Sequence, residues 1–148
     1  MKIEYIEKNR DELDIIEPLW EKQLEHHITV SNHFKESLSR VNFDVRKKQL
    51  QEKSRGGVLR IDMAKDSATG RYIGYCVTSL TPEKLGEIDY RLSCIGDNLM
   101  TRALGWLDVM AAKRKILGVA EGNESVFAFY RRYNFYPRTT ILEQIDNH

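Results

Sequence analysis

Two alternating runs separated by a five-residue turn constrain this chain most: VLRIDMAK (58–65), then DSATG, then RYIGYCVTSL (71–80). Leu59, Ile61 and Met63 alternate with Arg60 and Asp62, which is the period of a strand with one face buried. A short Asp/Ser/Gly turn between two such runs predicts an antiparallel hairpin. A lone hairpin is marginal in water, so the rest of the chain has to extend it into a sheet and cover it.

The flanking segments supply that cover. Residues 3–6 read as a first strand followed by a polar turn. Over 18–28 the pairs Leu19/Trp20, Gln23/Leu24 and His27/Ile28 recur at helical spacing, with Pro18 at a first helical position. A second helix is expected over 44–54 with Asp44 as its cap, and TVSNHFKESLSRVNF between the two has no clear period. Beyond the hairpin, Ile95, Leu99, Ala103, Trp106/Leu107 and Met110 mark one face of a helix. KILGVA reads as a short buried strand, Gly122-Asn123 opens a further helix with Val126, Phe129/Tyr130 and Tyr133 on one side, and FYPRTTILEQ reads as a closing strand. The order predicts an α/β (α+β) fold, a mixed central sheet flanked by helices, in one domain over 1–148.

Composition narrows the partners. An apolar fraction of 41% is enough for a packed core, and 23 basic against 22 acidic side chains leave a net charge of +1. No global field then points to nucleic acid or to an acidic membrane, and an anionic ligand must be held locally. Cys76 and Cys94 lie in apolar runs without the spacing of a disulfide framework or a zinc set. The charged N-terminus lacks a signal-peptide segment and no apolar run approaches a membrane span, so a soluble, cytoplasmic protein is expected. His26 and His27 are adjacent and cannot share one helix face, so no metal site is expected there or with His33. Trp20 reads as core, and Arg46-Lys47-Lys48 as a solvated helix face.

Two stretches carry chemistry: YRLSCIGDNLMTRALGW and ILGVAEGNESVFAFYRRYNFYPR. Together they resemble the two signature segments of the GNAT superfamily of acyl-CoA-dependent N-acetyltransferases, over about residues 86–142. The resemblance implies acetyl-CoA (coenzyme A) as cofactor, with its pyrophosphate held by the loop and first helical turn after a strand: here Arg91, Ser93, Cys94, Ile95, Gly96, Asp97 and Asn98. Arg91 and Gly96 match the family pattern, whereas Cys94 stands where the first glycine of the loop belongs. Glycine there permits positive φ and close approach to phosphate oxygens.

The first segment is also short. Only Glu87, Ile88, Asp89 and Tyr90 separate Gly86 from Arg91, a link of at most about 14 Å. Two readings stay open. Either the strand is a stub and the loop keeps its register, or EIDYRLSCI is itself the strand, leaving Ile95-Gly96-Asp97 as the remnant of the loop and Asp97 as helix cap. A third is that the natural protein has a segment this sequence lacks.

In the second segment Asn123 and Tyr130 are seven apart, which on one helix is two turns and a common face. The resemblance implies that Asn123 contacts the pantetheine arm and that Tyr130 protonates the departing thiolate; aromatic packing is the other reading of Tyr130. An acceptor amine must lose a proton before it attacks, and Glu87 is the expected base, with Asp89 beside it on one strand face. The acceptor is expected to be a small-molecule or peptide amine, and homodimerisation through the C-terminal strand is a further expectation. A non-catalytic protein of the same fold and a structural module without coenzyme are the competing readings.

Overall fold

The computed structural model describes residues 1–90 and 96–145. Two compact units are present, Met1–Gln23 with Asn42–Gly118, and Leu24–Val41 with Val119–His148.

The first unit is built on one five-stranded sheet in the order β1 (Ile3–Asn9), β2 (Val58–Asp66), β3 (Tyr72–Leu80), β4 (Leu85–Tyr90) and β5 (Arg114–Leu117). The expected hairpin is β2–β3, with Ile61 opposite Val77 and Met63 opposite Tyr75. Its turn is organised by Asp66, whose carboxylate accepts from the Ala68 amide and the Thr69 hydroxyl, both at 3.0 Å. Such local bonds fix turns that the backbone alone leaves loose. β1–β2, β2–β3 and β3–β4 are antiparallel; β4–β5 is the parallel pair, as expected where a helix crosses over.

That crossover helix is α4 (Gly96–Val109), with Leu99, Met100, Ala103 and Leu107 buried. Each large side chain of this face contributes roughly 1.5–3 kcal/mol by leaving water. A Cβ at Gly86 on β4 would press into the Leu107 side chain, so glycine at this strand position lets helix and sheet close together. Of the opening segment, β4 is described through Tyr90, and the stretch that separates the two readings, residues 91–95, lies outside the described residues. Asp97 lies inside the first turn of α4 and is not its cap, because the helix already begins at Gly96.

Several other boundaries differ from expectation. The segment after β1 is a 3₁₀ helix, Arg10–Ile16, closed at its start by a reciprocal cap: Asn9 accepts from the Asp11 amide, and Glu12 accepts from the Asn9 amide. Leu13 and Ile16 within it are fully buried. α1 spans Glu17–Val30, and its Trp20 packs edge-on against Phe43, as expected of a core residue. α3 is Phe43–Lys53, capped by Asn42 instead of Asp44, since the Asn42 carbonyl oxygen lies 3.0 Å from the Val45 amide.

In the second unit α2 (Lys35–Ser39) is a short helix with no buried residue. A 3₁₀ turn, Glu124–Val126, leads into α5 (Phe127–Arg131). The expected closing strand is absent: residues 135–145 have no regular structure, and Ile141 and Leu142 are about as exposed as side chains become. β-branched composition gives a strand only where a neighbouring edge accepts it, and Pro137 removes one donor from any ladder.

Candidate active site

The candidate site of the first unit lies where β4 meets α3. Alternation puts Glu87 and Asp89 on one face of β4, and a seven-residue spacing puts Arg46 and Lys53 on one face of α3. The two pairs interlock. Lys53 Nζ lies 2.9 Å from Glu87 Oε2 and 3.4 Å from Asp89 Oδ2, and Arg46 Nη2 lies 2.6 Å from Asp89 Oδ1. All four side chains are partly buried, between 22% and 29% exposed, so the network is neither a solvated surface nor a sealed core. Arg46 is therefore not part of a purely solvated basic face; nor is Lys47, which pairs with Asp14 at 2.8 Å.

The parallel ladder stops here too. Among the described residues Ile88 opposite Leu117 is the last β4–β5 pair, while β4 continues through Asp89 to Tyr90. A strand that outruns its parallel neighbour offers main-chain groups to an amide-containing arm laid beside it, as in strand addition. This fits the amide-bearing pantetheine arm of coenzyme A. α4 is described from Gly96, and the N-terminal end of a helix suits an anion. The Asp97 carboxylate in that first turn works against a pyrophosphate. Of the residues expected to bind cofactor, Arg91, Ser93, Cys94 and Ile95 lie outside the described residues; Gly96 is buried at the start of α4, and Asp97 and Asn98 are exposed beside it.

In the second unit, Asn123 occupies the cap position of the 3₁₀ turn Glu124–Val126, with its amide bonded to the Ala120 carbonyl. Tyr130 lies on α5 and is 7% exposed, its ring edge-on to Phe129 and Phe135. The seven-residue interval between Asn123 and Tyr130 is thus not two turns of one α-helix, because a 3₁₀ turn of three residues intervenes. Ring packing, the alternative reading of Tyr130, is present.

A feature missed in the sequence pins this unit. Glu121 accepts the Ser31 hydroxyl at 2.5 Å and the Asn32 amide at 2.7 Å, and Ser31 Oγ in turn accepts the Phe34 amide. The Ser31 hydroxyl, and then the Asn32 amide, hold the Glu121 carboxyl below its ordinary range. Gly122, at φ +87°, passes under the Val30 carbonyl, where a Cβ would collide with backbone. On the same stretch, burial lowers the His27 pKa, with neighbouring His26 adding to the effect. Among the described residues no group of three or more His, Cys, Asp or Glu side chains is arranged to hold a metal, and no helix is long and apolar enough to cross a membrane.

No protein-family model and no curated protein matches the chain. Solved structures do. A GCN5-related N-acetyltransferase from Ralstonia eutropha superposes with a TM-score of 0.66 at 17% identity, covering 97% of this chain and 99% of that one. The "predicted acetyltransferase with acetyl-CoA" of Clostridium acetobutylicum gives 0.67 at 12% identity over 99% and 100% of the two chains. A ribosomal-protein-alanine N-acetyltransferase from Brucella melitensis gives 0.63 at 11% identity over 98% and 100%. The mixed five-stranded sheet with its single parallel crossover is thus an acetyltransferase architecture, and this chain has the fold of the GNAT N-acetyltransferases.

Proposed function

We propose that this chain transfers an acetyl group from acetyl-CoA to a primary amine of a small molecule or peptide by direct attack. The observation that carries the reading is the pair Glu87 and Asp89, presented on β4 beside the point where β4 outruns β5. Bound acetyl-CoA would supply an activated acetyl group on a thiol leaving group. Glu87 removes a proton from the acceptor ammonium, which otherwise has no lone pair to attack with. The backbone of β4 past Ile88 and the first turn of α4, with Gly96 and Asn98, support the cofactor, and Asn123 and Tyr130 take the arm-binding and proton-donating roles that the family resemblance implies. Acetyl-CoA titration calorimetry and a thiol-release assay over a panel of amines test this: no heat and no thermal shift at millimolar acetyl-CoA ends the reading. Glu87→Gln should lower turnover by about a hundredfold at unchanged acetyl-CoA affinity.

A second reading is favoured by specific contacts. Glu87 and Asp89 are already neutralised by Lys53 and Arg46, Asp97 sits at the start of α4, and Tyr130 is packed among rings. These suit a protein of this fold that binds without turning over. Acetyl-CoA binding with no thiol release from any amine would select it.

A further inference from the structure

Lys53 sets a primary ammonium against both carboxylates of β4. Its ammonium, on the last residue of α3, touches both carboxylates of β4, at 2.9 Å from Glu87 and 3.4 Å from Asp89. The first distance is within reach for direct proton transfer. Other ion-paired lysines among the described residues are held elsewhere: Lys8 by Glu12, Lys47 by Asp14 and Lys115 by Asp108, none of them on β4. Lys53 is also 29% exposed, so its flexible stem can leave the pair without opening the core. The chain thus holds one of its own primary amines against the group assigned as base.

We propose that Lys53 is a self-acetylation site, modified by the acetyl-CoA bound at the end of β4. The inference rests on the acetyltransferase reading above. Lys53 gives one proton to Glu87, and its nitrogen lone pair forms the amide bond to the acetyl carbonyl carbon. The carbon–sulfur bond breaks and sulfur keeps the electron pair. Of the two protons the nitrogen gives up in all, one ends on sulfur and one in solvent, so a thioester and an ammonium become an amide, a thiol and a proton. Acetylation also removes a charge from the network. Two cations against two carboxylates become Arg46 alone against Glu87 and Asp89, and the modified site then attracts a cationic acceptor that the unmodified one turns away.

The test incubates the folded protein with acetyl-CoA and no acceptor, and follows acetylation of each lysine by peptide mass spectrometry, with calorimetric titration of acetyl-CoA in parallel. One acetyl group should appear on Lys53 well before Lys8, Lys47 or Lys115, and Glu87→Gln should slow it by about a hundredfold while leaving the other lysines unchanged. A second readout needs no turnover: Lys53→Gln, which mimics the charge of the acetylated side chain, should bind putrescine more tightly than the parent in calorimetry without cofactor. Acetylation of Lys53 no faster than of the other lysines, or equally fast in urea-unfolded protein, overturns the proposal. Binding of acetyl-CoA with Lys53 unmodified also overturns it and leaves the acetyltransferase reading standing. Absence of acetyl-CoA binding removes both.

Discussion

Asp62, fully buried in β2, receives two hydrogen bonds from Arg60, from Nε at 3.0 Å and from Nη2 at 2.9 Å. Arg102 of α4 reaches the same carboxylate at 3.4 Å and lies over the Tyr5 ring of β1, 5.0 Å from its centroid. The carboxylate therefore ties β2 to the crossover helix, and Arg102 carries the contact on to β1. A buried charge of this kind is held by its partners: taking the partners away costs more than the pair contributes over an apolar substitute. Arg60 shows the reciprocal effect, since its hydrogen bond to Asp62 raises its pKa above the ordinary value.

Asp62→Ala should accordingly destabilise the protein by about 3–5 kcal/mol, because Arg60 then stays partly buried beside a cavity with only the exposed Glu7 carboxylate, 3.9 Å away, as counterion. Adding Arg60→Met should recover part of the loss. Urea denaturation of the single and double variants measures both; equal stability of the two would show that the arginine left without Asp62 is not the source of the cost.

Tyr5 Oη is buried without a hydrogen-bond partner among the described residues. An unsatisfied hydroxyl costs about 1–3 kcal/mol. Tyr5→Phe keeps the ring under Arg102 and removes that cost, so the variant should be as stable as the parent or more so. A lower melting temperature would mean that the hydroxyl has a partner in solution.

Much of this architecture is legible in the amino-acid sequence where burial is one-sided. The alternation of 58–65 and 71–80 gave β2 and β3, and Leu99, Ala103 and Leu107 marked the buried face of α4. Asp62 was not legible. Alternation assigns it with Arg60 to a polar face, but α4 covers that face, and a pattern along one strand does not report what packs across it. Leu13 and Ile16 were hidden for another reason: three apart among charges, they fit a 3₁₀ period that polar turns can imitate. At the candidate site Glu87 and Asp89 were visible as strand acids, whereas their partners Arg46 and Lys53 were not, because only the packing of α3 on β4 brings residues over thirty positions apart together. The strand-like reading of 135–144 failed because composition supplies side chains suited to a sheet but does not by itself supply a pairing partner.

The Lys53–Glu87 pair should contribute little to stability. Both side chains are about a quarter exposed, where water screens the attraction and ordering a lysine costs entropy. A double-mutant cycle with Lys53→Met and Glu87→Gln should give a coupling of about 0.2–1 kcal/mol that shrinks in molar salt. A coupling several times larger would mark the pair as structural and remove the mobility that self-acetylation requires.

Cys76 lies fully buried on β3, opposite Asp62, with Thr78 Oγ1 3.8 Å from its sulfur. Burial above all pushes its thiol well above the ordinary range, and the Asp62 charge adds to this. The thiolate is the reactive form. In a Cys94→Ser background Cys76 should therefore resist a thiol reagent at pH 8 in the folded state and label at the rate of unfolding. Labelling within the mixing time in buffer would place the thiol outside the core.

Glu121 gives the second unit a pH dependence whose sign follows from its partners. Hydrogen bonds from Ser31 and the Asn32 amide favour the carboxylate, so its folded pKa lies below the unfolded value of about 4.3. A group shifted in this direction stabilises above its unfolded pKa, and the contribution is lost as pH falls through the folded one. Amide hydrogen exchange at Asn32 and Phe34 should therefore stay slow, relative to the intrinsic rate, from neutral pH down to the ordinary glutamate range, and protection should fall below it. Glu121→Gln keeps an acceptor for the Asn32 amide but has nothing to titrate, so its protection should be weaker and independent of pH across the same range. Gly122→Ala attacks the same contact from the backbone: the left-handed φ and the Val30 carbonyl both oppose a side chain, and protection should fall at every pH. If Gly122→Ala loses protection while Glu121→Gln retains the full parental profile, the backbone alone pins the segment and the carboxylate contributes nothing.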